Sequence, residues 1–197
     1  MTSALSELHP PSGEWTTDDL DELPEDGHRY ELIDGALIVS PSPTSHHQKL
    51  ILRLGPALEP TCPPDLEVTQ GVEVRISSRR SFTPDLLVVT AEAAARGPSK
   101  FRPNEVVLAV EVVSPGSVTM DRVAKPALYA QAGIPYYWRI ETQHGIVVHT
   151  HRLDPRAEAY RHTGVFDDVI EIDEPWQIRL PVKDITPRFY RPAEQEG

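Results

Sequence analysis

Apolar and polar positions along this chain follow two periods, and each switch between them marks an element. The clearest signal is Tyr30-Glu31-Leu32-Ile33, then Asp34-Gly35, then Ala36-Leu37-Ile38-Val39. Two apolar runs flank a pair of residues that tolerate positive φ, so the segment predicts a β-hairpin. Upstream, Trp15 to Leu20 predicts a short helix with Thr16 or Thr17 as N-cap and acids in the first turn, ended by Pro24 to Gly27. Downstream, Ser40-Pro41-Ser42-Pro43 is a stiff connector. A helix is expected from Thr44 or Ser45, because His47, Leu50, Ile51, Leu54 and Leu58 share one face. Gly55-Pro56 should kink or end it early, since proline lacks the N–H and crowds the preceding turn.

The period then drops to two. Gly71 to Ile76 alternates strictly and predicts a strand, and Ser77 to Arg80 reads as a basic turn. Asp85 to Val89 and Val106 to Val113 are apolar on both faces, the mark of central strands covered on each side. The link from Thr90 to Asn104 is long and partly Ala-rich. Asp121 to Gln131 predicts a second helix closed by Gly133 at its C′ position. Strands follow at Tyr136 to Ile140 and Ile146 to His149, with weaker ones to about residue 180. Strands mixed with helices and no internal repeat give an α/β (α+β) class. The expected layout is one domain over 14–190, with loose tails at 1–13 and 191–197.

Composition narrows the setting. The chain has 197 residues, 39% hydrophobic and 25% charged, enough apolar material for one core. No run of about 18 apolar residues exists, so no membrane span is expected. Met1 to Asp26 is acidic and Pro-rich, without the basic and apolar regions of a secretory leader. Cys62 is the only cysteine, which excludes an intrachain disulfide and suits a reducing, cytoplasmic compartment. The net charge of −11 counts against tight nonspecific DNA binding. It leaves room for a local basic patch or for a metal ion that supplies positive charge where phosphate sits.

The chemistry centres on Glu111, set inside Val-Val-Leu-Ala-Val-Glu-Val-Val. An unpaired carboxylate there would cost several kcal/mol, roughly, so it needs a cation, a donor set or a metal. The alternative is a strand-end Glu that reaches solvent or pairs with an arginine. Asp85 follows Pro84 at the head of the other central strand, and Pro-Asp alone is a common turn pair. If the two strands run antiparallel, the start of one lies beside the end of the other and the two carboxylates converge. Two carboxylates plus waters suit Mg²⁺. Asp121, Lys125 and Tyr129 are spaced i, i+4, i+8 and share a helix face. A lysine aimed at that centre suits a phosphate oxygen or the orientation of an attacking water; the alternative is an exposed Asp–Lys pair. His47 lies on the apolar helix face, where a buried, satisfied histidine is the competing explanation.

Taken together, Thr83-Pro84-Asp85 with its apolar strand, Glu111-Val112-Val113-Ser114-Pro115, then Asp121, Lys125, Tyr129 and Gly133-Ile134-Pro135-Tyr136-Tyr137-Trp138 resemble the Uma family of restriction endonucleases. That family lies in the PD-(D/E)XK nuclease superfamily. Tyr30 to Gly35 and the Ser-Pro stretch ending in His47-Gln48 match its N-terminal half, and the resemblance runs from about residue 15 to 185. It implies a restriction-endonuclease-like core, a mixed β-sheet flanked by helices. It implies Mg²⁺, with Mn²⁺ as a substitute, held by Asp85 and Glu111 with help from the Val112 carbonyl. It makes Glu31 a further acid near the metal; alone, a hairpin Glu beside Tyr30 reads as solvated. His47, Asp121 and Tyr129 are accessory candidates.

The sequence departs from the superfamily pattern at Val113, where the usual lysine stands two residues after the Glu; Lys125 is the candidate replacement. Pro126 directly follows it, so either a helix starts there with Lys125 at its cap or the helix bends. The leading function is Mg²⁺-dependent endonucleolytic hydrolysis of DNA, with catalytic roles for Asp85, Glu111, Lys125 and Glu31. The alternative is an inactive nuclease-fold protein acting as a nucleic-acid-binding or interaction module. Arg79, Arg80, Arg96, Lys100 and Arg102 are candidates for a phosphate-contacting rim. Tyr136-Tyr137-Trp138 offer base stacking, against core packing. A homodimer is expected by analogy with enzymes that cut both strands. No P-loop, dinucleotide fingerprint, zinc cluster or Gly-x-Ser-x-Gly elbow is present.

Overall fold

A computed structural model describes residues 9–10, 13–24, 26–40 and 42–191. Apart from residues 9, 10, 13 and 191, the two expected tails lie outside the described residues. So do Glu25 and Pro41 of the two expected connectors.

The N-terminal elements form where local chemistry favours them. Helix α1 (Thr17–Leu20) is opened by a capping box in which Thr16 Oγ1 accepts from Asp19 N and the Asp19 carboxylate accepts from Thr16 N at 2.8 Å. Strands β1 (Arg29–Ile33) and β2 (Ala36–Ser40) pair antiparallel across Asp34 and Gly35, both at positive φ (51° and 84°). Helix α2 (Ser45–Leu58) is capped by Thr44 and buries Leu50, Ile51, Leu54 and Leu58. Pro56 does not end this helix at once. It runs to Leu58 and passes into a 3-10 turn at Glu59–Thr61. Pro56 and Leu52, the residue four back, are both exposed, so the missing bond falls where water can take its place.

The remaining strands are β3 (Leu66–Thr69), β4 (Glu73–Ser77), β5 (Arg80–Phe82), β6 (Leu86–Thr90), β7 (Lys100–Phe101) and β8 (Val106–Val112). Beyond them come β9 (Tyr136–Glu141), β10 (Val147–Asp154), β11 (Ala159–Phe166), β12 (Val169–Ile172) and β13 (Ile178–Pro181). Helix α3 (Ala91–Ala95) follows β6, and α5 (Val182–Ile185) follows β13. The second helix is not uniform over Asp121 to Gln131. A π turn, Met120–Ala124, leads into α4 (Lys125–Gln131) with Pro126 in its first turn, and Gly133 closes it at φ 81°. The wider turn lets the chain enter α4 where proline has no N–H to give, so the element continues through Lys125.

The main sheet has the order β11-β10-β9-β8-β6-β3 and is mixed, with β8 antiparallel to β6 and parallel to β9. The antiparallel condition for bringing Asp85 beside the end of β8 is therefore met. A second sheet, β2-β1-β5-β4-β7, covers one face, where Val74 and Phe82 pack on Leu87, Val89, Ala109 and Tyr137. Helix α2, α5 and the β12–β13 ribbon cover the other, where Leu50, Leu54 and Leu58 pack on Leu86, Val88, Leu108, Val110 and Trp138. Both faces of β6 and β8 are thus buried, as their unbroken apolar runs require. Tyr137 and Trp138 are core residues, which settles their role as packing. Among the described residues, no helix is long and apolar enough to cross a membrane.

Gly35 tests the hairpin. A Cβ there would meet Arg79 Nε at 3.1 Å, a flexible guanidinium that can yield, so the left-handed backbone sets the cost. Gly35→Ala should lose about 1–2 kcal/mol, read as a lower urea midpoint at unchanged slope. An unchanged midpoint would show that the turn does not need its glycine.

Candidate active site

Asp85 stands at the mouth of β6 because its N–H bonds Val110 O at 3.1 Å and ties it to β8. Its carboxylate accepts from Arg29 Nη1 at 2.9 Å, His47 Nε2 at 3.0 Å and Val112 N at 2.8 Å. Burial pushes this acid up, but His47, Arg29 and the Val112 N–H outweigh it and hold it at about 2. Asp85 is therefore a carboxylate at any neutral pH. His47 Nδ1 is buried and has no hydrogen-bond partner among the described residues.

Glu111 is 1% exposed and lines the same pocket from the neighbouring strand β8. Its Oε1 accepts from Lys125 Nζ at 3.0 Å and Tyr129 Oη at 2.7 Å. Lys125 Nζ also lies 3.0 Å from Glu31 Oε1 and 3.7 Å from Asp121 Oδ1. Glu31 accepts from Thr83 N at 3.0 Å, and Asp121 accepts from Ser117 Oγ. The shared helix face of Asp121, Lys125 and Tyr129 is real, and the π turn keeps it aimed at β8. Glu31 is not solvated; it is buried, because β5 pairs beside β1 and lays Thr83 over it.

The electrostatics follow from this crowding. Burial drives Glu111 up to about 8. Lys125 pulls it down, while Asp85, Asp121 and Glu31 push it further up. Burial likewise raises Asp121. Lys125 is raised too: desolvation opposes its charge, but Glu111, Glu31 and Asp121 overcome that. A raised acid beside a raised ammonium is consistent once the charges are counted. Glu31, Asp85, Glu111 and Asp121 are four buried carboxyls, and among the described residues the permanent cations paired with them are Lys125 and Arg29. The site holds more negative charge than it can pair, so Glu111 keeps a proton near neutrality. Tyr129 is pushed well above its usual value by burial and stays a hydroxyl donor.

These groups line one pocket of about 500 Å³, walled on its apolar side by Ile38, Leu50, Val113 and Ile146. A surplus of buried carboxylate oxygens is the donor set a hard divalent cation requires. Among the described residues no three such side chains already stand at ligand spacing around one point; Lys125 draws Glu31, Glu111 and Asp121 onto its ammonium instead. The residues present fit a divalent metal by charge and ligand chemistry.

The structure brings Glu31, His47, Asp85, Glu111, Val112, Asp121 and Lys125 to this pocket and places Tyr129 directly beneath it. Sequence reasoning missed Arg29, Thr83 and Ser117. Only Arg29 had a usable signal, since it precedes Glu31 by two on β1 and so shares its face. The five basic residues proposed as a phosphate-contacting rim lie away from the pocket. Arg79 pairs with Glu14, Arg80 with Asp34, Arg96 with Glu105 and Lys100 with Asp21, and none of the five basic residues lines the pocket.

A mixed sheet whose neighbouring strands deliver an Asp and a Glu into one acidic, helix-covered pocket is the architecture of a nuclease-like α+β protein. Residues 17–183 match the Uma2 family, described as "Putative restriction endonuclease". The chain belongs to that family. The fold is also similar to a crystal structure described as "a putative nuclease belonging to DUF820" from Anabaena variabilis. That likeness has a TM-score of 0.68 at 18% identity, covering 86% of this chain and 96% of the other. No functionally curated protein matches this chain.

Removing the ammonium tests the cluster. Lys125→Met should cost about 3–5 kcal/mol, because it strands buried carboxylates. Adding Glu111→Gln should give back part of that loss, with a coupling of about 1–3 kcal/mol in a denaturation cycle. Strictly additive effects would mean the two groups do not share a charge balance.

Proposed function

We propose that this chain is a divalent-metal-dependent endonuclease that hydrolyses phosphodiester bonds of DNA, with residues 14–190 acting as one unit. The observation that carries this reading is the surplus of buried carboxylates, Glu31, Asp85, Glu111 and Asp121, around one ammonium in a pocket. Pure structural ion pairing would favour balance, since buried unpaired charge is costly. Mg²⁺, or Mn²⁺ in its place, would be held by Asp85, Glu111 and the Val112 carbonyl, and would supply Lewis-acid polarisation and positive charge.

The chain's own residues do the rest. Arg29, His47 and the Val112 N–H fix the Asp85 carboxylate in one orientation and keep it ionised. Tyr129 and Lys125 hold the Glu111 carboxyl in one orientation through its Oε1. Glu31 and Asp121 keep Lys125 charged inside an apolar wall. A phosphate entering the pocket meets that ammonium, which can donate to a non-bridging oxygen as negative charge builds up at phosphorus. Hydrolysis then adds water across a P–O bond: the hydroxyl stays on phosphorus and a proton goes to the leaving sugar oxygen. A homodimer would present two such pockets to the two strands. A cytoplasmic setting suits the free Cys62 thiol.

One observation favours the second reading, a nucleic-acid-binding or interaction module that cleaves nothing: Lys125 is already engaged by three carboxylates. Cleavage assays decide between them. With plasmid DNA and Mg²⁺ or Mn²⁺, wild type should nick or linearise, EDTA should stop it, and Glu111→Gln should lose about 100-fold or more. Retained DNA binding with no cleavage under either metal would favour the module. A second expectation concerns protons. Glu111 holds one up to about pH 8, so cation binding at pH 7 should displace it. Unbuffered protein should acidify on Mg²⁺ addition, affinity should rise as pH climbs toward 8, and Glu111→Gln should release none. No acidification in wild type would contradict the Glu111 assignment.

A further inference from the structure

Beyond the pocket, the same face of the sheet carries a second group of side chains that the proposed hydrolysis does not use. Glu111 on β8 is in register with Arg139 on β9, and Arg139 with His149 on β10. One row away, Ala109, Tyr137 and His151 are in register, and His151 faces His162 on β11. That last pairing depends on an irregularity between Thr150 and His151, which skips Thr163 and sets His162 opposite His151. Bulges of this kind re-aim side chains. Here the result is a line of imidazoles, with ring centroids 5.9 Å apart for His149 and His162 and 5.3 Å for His151 and His162.

Two guanidiniums border the group. Arg122, from the π turn, makes a two-pronged pair with Glu141 at 2.9 and 2.8 Å. Arg139 Nε lies 2.9 Å from Glu141 Oε1, yet among the described residues its buried N–H has no well-aimed acceptor. A buried guanidinium donor without an acceptor is costly unless something supplies one. The groups facing the imidazoles are Arg139, Glu141, Arg122, Tyr137 and Tyr160, so a single carboxylate opposes two guanidiniums. In a chain of net charge −11, this patch runs against the overall sign. Burial and the nearby Arg139 hold His149 below its usual value and His151 at about 4, so the patch does not repel itself when empty.

We propose that Arg139, His149, His151 and His162 form an oxyanion site that takes a backbone phosphate of the nucleic-acid substrate, within about four nucleotides of the bond that is cut. The identity of the substrate rests on the nuclease reading; the oxyanion site does not. Strands lie about 4.8 Å apart, so the site begins one strand from Glu111, at Arg139, and its far edge on β11 is roughly 14 Å from Glu111. That span covers about four nucleotides at ~3.4 Å of rise. A planar guanidinium flanked by imidazoles, each with N–H donors to give, matches the oxygens of a phosphodiester.

Histidine NMR tests this without metal. Inorganic phosphate and a short DNA duplex, titrated separately at pH 6.5, should each move the His149, His151 and His162 ring signals. The ring signals should remain fixed with both ligands if the site does not exist. Movement with inorganic phosphate alone would overturn the assignment to nucleic acid. In cleavage kinetics, His149→Ala/His162→Ala should raise KM roughly three- to tenfold with kcat little changed. It should also lower the salt slope of DNA binding by about one. An unchanged KM in an active enzyme would overturn the proposal and leave the nuclease reading intact. Phosphate-dependent shifts in a protein that cleaves nothing would do the reverse.

Discussion

The architecture of the site depends on one buried ammonium. Lys125 is 3% exposed and touches Glu31, Glu111 and Asp121, which arrive from a hairpin strand, a central strand and a π turn. The sheets and helix around them also share an apolar core through Phe82, Ala109, Leu128 and Tyr129. Without Lys125 the carboxylates would repel one another in a low-dielectric interior; without the carboxylates the ammonium could not be buried. The same arrangement leaves an excess of negative charge, with Asp85 and its own partners close by. The stability of this corner and its surplus negative charge therefore have one origin, the ammonium and the carboxyls around it.

The surrounding fold is built to hold that imbalance in place. β6 and β8 are clad on both faces, so the ends from which Asp85 and Glu111 project cannot drift. Arg29, His47 and Tyr129 each spend a hydrogen bond on orienting a carboxylate. Such support is what turns acidic residues into a site rather than a solvated cluster. In a chain of net charge −11, positive charge is local. Among the described residues it gathers at Lys125 inside the pocket and in the outward row that contains Arg139 and Arg122.

Much of the fold was legible because its signals are local. The Asp34-Gly35 turn, the Thr44 cap and the doubly apolar β6 and β8 can each be read from a few adjacent residues, and the structure contains all of them. Asp85 and Glu111 stood out because a charge inside an apolar run demands a partner. What escaped depends on distant neighbours. β5 has only three residues and exists because β1 and β4 flank it. Glu31 looked solvated because the strand that covers it lies fifty residues on. The basic residues looked like a rim because their acidic partners, Asp21 and Asp34 among them, are remote in sequence. Pro126 marked a break that the π turn absorbs, which no local rule distinguishes from a helix start.

The central claim is that the carboxylate surplus exists to take a divalent cation. Calorimetric titration of Mg²⁺ and Mn²⁺ into wild type, Asp85→Ala and Glu111→Ala tests it most directly. The account predicts saturable binding at one site in wild type, lost in both variants while each remains folded by circular dichroism. If wild type binds neither ion, with or without DNA present, the carboxylates are structural partners of Lys125 and Arg29, and the metal-dependent reading is wrong.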